Sequence, residues 1–117
     1  MIPVENIGDW RGQEVVDATG EKLGKLEAIY YDGETDEPAF AAVKTGLVSK
    51  SVTLVPLARA SVGRDYLRVD RRKGMFKKAP SFDTDAELTL DDEAAVYEHY
   101  SLGYTPAGAG ARRLAKR

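Results

Sequence analysis

Asp17-Ala18-Thr19-Gly20-Glu21-Lys22-Leu23-Gly24-Lys25-Leu26-Glu27-Ala28-Ile29-Tyr30-Tyr31-Asp32 joins a tight turn to the longest strand candidate in the chain. Gly20 supplies the positive φ that a hairpin turn needs. Residues 14–17, with Val15 and Val16, form the short strand leading into that turn. The second strand is expected over residues 23–31, with weak alternation. Leu23, Lys25, Glu27, Ile29 and Tyr31 share one face, and Gly24, Leu26, Ala28, Tyr30 and Asp32 the other. Each face therefore mixes apolar with charged or small residues.

The same punctuation continues downstream. A polar loop, Asp32-Gly33-Glu34-Thr35-Asp36-Glu37-Pro38, precedes a third strand over 39–45. A fourth runs over 52–55 and is ended by Pro56, which has no N–H for a ladder. Residues 58–62 read as connecting structure, and Gly63-Arg64-Asp65 turns the chain into a fifth strand over 66–69. Short strands spaced by turn signals argue for a small barrel or sandwich. Beyond Asp70 the texture changes. Arg68, Arg71, Arg72, Lys73, Lys77 and Lys78 surround Met75 and Phe76, and Ala79-Pro80 interrupts any regular element. Thr89 is the expected N-cap of a helix reaching about Tyr100, with Asp91 and Asp92 at the positive end of its dipole. Leu90, Ala94, Tyr97 and Tyr100 form its expected buried stripe.

Of 117 residues, 43% are apolar and 31% charged, ordinary values for a single soluble globular domain. The chain has no cysteine and one histidine, His99. That composition excludes disulfides, thiolate metal sites, a cysteine nucleophile and multi-histidine metal centres. The net charge of −2 hides an asymmetry. Residues 1–106 carry 13 basic against 19 acidic groups, a net of −6, while Arg112, Arg113, Lys116 and Arg117 lie in the last six positions. The body is thus a poor general nucleic-acid binder. Residues 107–117 are expected to be a disordered basic tail, following a domain over 1–106. The tail offers weak, salt-sensitive contact with nucleic acid, an anionic membrane surface or an acidic protein. No apolar run is long enough to span a membrane and residues 1–5 do not read as a secretory signal, so a cytoplasmic location is expected.

Candidate chemistry is sparse. The acids of the 32–37 loop do not meet the calcium-loop template, which needs Gly at its sixth position and Glu at its twelfth; Glu37 and Val43 stand there. His99, next to Glu98 and Tyr100, lacks a marked partner for acid–base work and sits where a helix C-terminus attracts a cation. The scattered glycines do not form a phosphate-cradling loop. The basic segment 68–78 and the acidic stretch 83–98 are expected to screen each other. No catalytic residue, cofactor or metal is expected.

The runs Gly20-Glu21-Lys22-Leu23-Gly24-Lys25-Leu26-Glu27, Tyr31-Asp32, Glu37-Pro38-Ala39-Phe40-Ala41-Ala42-Val43 and Leu54-Val55-Pro56 resemble the PRC-barrel domain family. Ala79-Pro80, Leu88, Glu93, Tyr97, His99 and Tyr100 extend the likeness, which covers about residues 8–104. This family includes the cytoplasmic domain of the photosynthetic reaction-centre H subunit and the C-terminal domain of the ribosome maturation factor RimM. The chain looks most like short stand-alone actinobacterial members. The resemblance implies a small, strongly bent antiparallel β-barrel of five or six strands over about 8–72, with a C-terminal extension and α-helix over about 73–104. It also implies a non-enzymatic interaction or adaptor role, often as a homodimer. Alternatives are an RNA- or ribosome-associated factor like the RimM domain and an electron-transport accessory like the H subunit. Neither the H subunit's membrane helix nor RimM's preceding barrel is expected among these 117 residues. Tyr30, Tyr31, Phe40, Tyr66, Phe76, Phe82, Tyr97 and Tyr100 are many aromatics for a barrel of this size, so Tyr30, Phe40, Phe76, Tyr97 and Tyr100 are candidate contacts with a second copy or an unidentified protein partner. Arg112, Arg113, Lys116 and Arg117 are the electrostatic candidates.

Overall fold

A computed structural model describes residues 11–33, 35–45, 51–83, 88–102 and 114–116. Among these residues, eight strands and two helices follow in the order β1 (Glu14–Val16), β2 (Lys22–Asp32), β3 (Pro38–Lys44), β4 (Ser51–Pro56), β5 (Ser61–Val62), β6 (Tyr66–Arg68), α1 (Lys73–Lys77), β7 (Ser81–Asp83), α2 (Leu90–His99) and β8 (Leu114–Lys116). One sheet runs β5-β6-β1-β2-β3-β4-β7, and β8 pairs with β2 off that path. The fold is mainly β, as the sequence indicates, but β5 forms within residues 58–62, read as connecting structure, and β7 follows Ala79-Pro80, where no strand is expected. The β1–β6 pair is parallel. In addition, β5 and β7 end the sheet, so hydrogen bonds among the described residues do not close it into a cylinder.

The weak alternation of β2 has a cause in its register. Opposite β1, Val15 and Val16 pair with Gly24 and Lys22, which leaves Leu23 as an extra residue. Opposite β3, Leu26 and Ala28 pair with Val43 and Ala42, which leaves Glu27 as another. Each bulge bends the strand and resets which face the next residue meets. Leu23, Leu26 and Ile29, three residues apart, therefore enter one core. A simple period of two divides them between faces.

The central strands are buried on both sides. On one side, Val15, Leu26, Ile29, Ala41, Val43, Val55, Leu67, Val69 and Phe76 pack inside the bend. On the other, Tyr30, Phe40, Ala42, Val52 and Leu54 meet α2 through Val96, Tyr97 and Tyr100. The alternation of β3 and β4 feeds both cores, which is why these strands read as near-continuous apolar runs. Phe40 and Tyr97 meet edge to face at 5.2 Å, and the Tyr100 hydroxyl donates to the Leu54 carbonyl at 2.6 Å.

Thr89 caps α2 as expected. Its Oγ1 accepts from the Asp92 N–H at 3.1 Å, and the Asp92 carboxylate accepts from the Thr89 N–H at 3.0 Å. This is a reciprocal capping box. The buried stripe differs from the expected one: Glu93, Val96, Tyr97 and Tyr100 are buried, while Leu90 is 37% exposed. Leu90 is the first residue of α2.

The expectation of a disordered 107–117 needs correction at its end. Leu114–Lys116 is strand β8, pairing antiparallel with residues 30–32 of β2, and Leu114 is buried in the outer core. Its order comes from a backbone ladder and an apolar socket, neither of which is visible in the local composition. Residues 107–113 and 117, including Arg112, Arg113 and Arg117, lie outside the described residues.

Candidate functional site

The five aromatic contact candidates lie inside the fold. Tyr30, Phe76 and Tyr100 are 3–4% exposed, Phe40 2% and Tyr97 7%. Four of them build the outer core and Phe76 the inner one. The aromatic surplus is spent on two cores, one on each side of the sheet, which corrects its reading as surface for a partner. Lys116 is in β8. Among the described residues, the exposed large apolar side chains are Met75 and Leu90.

The buried titratable groups have structural duties. Asp17 is 1% exposed. Its Oδ1 accepts from the Thr19 N–H, the Thr19 hydroxyl and the Glu21 N–H at 2.7–2.8 Å. Its Oδ2 accepts from the Lys73 N–H at 2.9 Å. Burial alone pushes this carboxyl up, but the four hydrogen bonds overcome it and bring its pKa down to about 2. The last of these bonds explains α1. Residues 73–77 have no local side-chain cap, and a carboxylate 56 positions away satisfies the first N–H. Sequence reading missed α1 because its cap is tertiary.

Glu93 is fully buried and accepts from the Leu114 N–H at 2.7 Å, tying β8 to α2. His99 Nε2 lies 2.6 Å from the Met75 carbonyl oxygen, and the Arg71 guanidinium stands 5.9 Å from the centre of the Tyr100 ring. These two contacts join the basic segment to His99 and Tyr100 at the C-terminal end of α2, just past the acidic stretch. Burial raises the Tyr100 phenol above its ordinary pKa, opposed in part by the charge of Arg71. In the 32–37 loop, Asp32 lies in β2, and the Asp36 N–H folds back onto its carbonyl at 2.7 Å. No cluster of three or more metal-ligating side chains occurs among the described residues.

An open groove of about 800 Å³ lies along the first half of β2. Buried Leu23 and Leu26, with Gly24 between them, give it an apolar lining. Gly24 is required there, because a Cβ at this position would collide with the Lys44 carbonyl oxygen of β3. Lys22, Lys25 and Arg11 stand exposed around it, and Lys44 and Lys73 are half-buried at its sides. The acids are Glu14 and Glu27, and Glu27 sits 3.8 Å from Arg11 in a solvent-exposed pair worth little by itself. Lys22, Lys25, Lys44 and Lys73 have no ion-pair partner among the described residues. The groove is therefore cationic on a molecule whose body is acidic. No local motif announces it. Its lining comes from four separated segments, and the bulges in β2 put Leu23 and Leu26 on one side.

None of the curated proteins matches the chain. The profile of the PRC-barrel domain family matches residues 3–76, from before the first described residue into α1. The matched segment contains β1 to β6, the inner core and the groove; β7, α2 and β8 lie beyond it. With most of its length matched and a bent, mainly β fold to accompany the match, the chain belongs to the PRC-barrel domain family.

Proposed function

We propose that the protein is a non-enzymatic interaction module acting in the cytoplasm, and that the cationic groove beside β2 receives an acidic segment of a partner protein. PRC-barrel domains are generally non-catalytic interaction modules. The observation that carries the reading is the groove itself: five cationic side chains against two acids around an apolar lining. Such a surface attracts an acidic chain at long range and offers it apolar contact at short range. Supporting the non-enzymatic part, Asp17, Glu93 and His99 are each engaged in contacts that hold the fold together. A second copy of the chain is a further partner within this proposal, since β5 and β7 end the sheet and strand edges invite pairing.

The test uses a labelled hexaglutamate peptide titrated into the full chain at low and high salt. Binding that weakens with salt, and falls at least tenfold in Lys25→Glu/Lys44→Glu with an unchanged circular dichroism spectrum, is the expected result. Absence of binding at low salt, or binding indifferent to the double substitution, overturns the groove as the docking face. Light scattering on the same samples reads the dimer, and a strict monomer at tens of micromolar, on the order where weak dimers persist, removes the second copy.

A further inference from the structure

The basic end of the chain is not absorbed by the groove, whose charge has the same sign. Its described part points elsewhere. β8 lies antiparallel against β2, with Asp32 opposite Leu114, Tyr31 opposite Ala115 and Tyr30 opposite Lys116. The first half of that same edge of β2 is taken by β1 and the opposite edge by β3. β8 thus fills the stretch of edge that β1 leaves. Leu114 is 2% exposed and enters the outer core beside α2, and its N–H is received by the buried Glu93 carboxylate at 2.7 Å.

Together these make a built receptor for an extended chain: a strand edge that supplies the ladder, an apolar socket for a side chain, and a carboxylate for a backbone N–H. This is the chemistry of strand addition, in which the ladder gives affinity and a pocket gives selectivity. The present occupant is three residues long and follows an eleven-residue connection from Leu102, a length that reaches about 40 Å when extended. So short a strand opens at far lower cost than the central sheet.

We propose that the slot between residues 30–32 of β2 and Glu93 of α2 is a peptide-binding site for an extended partner segment carrying leucine flanked by basic residues, and that β8 occupies it in cis. The occupant's chemistry is read from Leu114-Ala115-Lys116, which the slot already holds, and from the basic residues that adjoin them in the sequence, Arg112, Arg113 and Arg117. Basic flanks also suit a body of net charge −6. Because β8 is tethered, its local concentration is high, so a partner segment competes with it and the site is regulated by its own chain.

The probe is a labelled peptide, Ala-Arg-Arg-Leu-Ala-Lys-Arg, measured by fluorescence anisotropy against the full wild-type chain and full-length Leu114→Ala. The expected result is at least tenfold tighter binding to Leu114→Ala, whose cis competitor has lost its anchor, and loss of that binding when the peptide's leucine is replaced by serine. Equal binding of the leucine and serine peptides reduces the contact to charge and overturns the proposal; so does absence of binding to both chains. If Leu114→Ala does not fold, amide hydrogen exchange on the wild-type chain decides. Excess leucine peptide must accelerate exchange at Ala115 and Lys116 while residues 30–32 stay protected, and unchanged exchange at Ala115 and Lys116 overturns the site. A concentration-dependent dimer that is abolished by Leu114→Ala and not displaced by peptide assigns the slot to a second copy and overturns the partner reading.

Discussion

Asp17 shows how much one side chain in a turn can organise. Its two oxygens close the β1–β2 hairpin and cap α1, so the carboxylate joins the start of the barrel to its last matched element. Its pKa is about 2 in the fold against an ordinary 3.8. A depressed folded value means that the stabilisation is complete above about pH 4 and is lost as pH falls toward about 2. Urea unfolding from pH 7 to pH 2 is expected to show that loss in the wild type and a flatter profile in Asp17→Asn. Asp17→Ala is expected to cost about 2–3 kcal/mol at neutral pH, because hydrogen bonds to a charged acceptor are lost and buried donors are left. The turn was legible from Asp17 to Glu21, since Gly20 has φ 93° in the turn that local chemistry demands. The link to Lys73 was not, because nothing in residues 68–78 signals a cap so far away.

At the scale of elements, β2 carries the architecture. Its eleven residues pair with β1, β3 and β8, and two bulges bend it. A strand that changes phase twice presents leucines to one core at intervals of three, so period-two reading fails on it while correctly finding the strand. Gly24 marks where the bend brings β2 onto β3. Gly24→Ala is expected to destabilise the protein by about 1–3 kcal/mol, the usual cost of forcing volume into a packed contact, measured as a lowered urea midpoint. A substitution without effect would show that the two strands separate freely there. In α2 the cap was readable because Thr89 and Asp92 are three residues apart and act locally. The buried stripe was less so, because the sheet selects which residues of the helix face it.

At the scale of the molecule, one sheet separates two cores, and α2 makes the second possible by covering the outer face of β3 and β4. The cores share the same strands, so they are expected to melt together. Leu26→Ala in the inner core and Leu54→Ala in the outer core should each cost about 2–5 kcal/mol. Each should leave a single transition, coincident by far-ultraviolet circular dichroism and tyrosine fluorescence. A biphasic transition in Leu54→Ala would instead show that the α2 layer leaves the barrel as a separate unit.

Local chemistry thus specified β1 to β4 and β6, the hairpin turn at Gly20, the Thr89 cap and, through the runs around Gly20-Glu21-Lys22-Leu23-Gly24 and Val55-Pro56, the family. Each depends on neighbours a few residues apart, where backbone sterics and short hydrogen bonds act. The destination of the aromatics, the capping of α1, the cationic groove and the seating of β8 arise between segments far apart in sequence. Tyr97 is core because Phe40 is opposite it. Leu114 is ordered because Glu93 and the edge of β2 receive it. Burial and pairing of this kind belong to the packed chain, since the energy lies in contacts that form only when the sheet bends and the helix covers it.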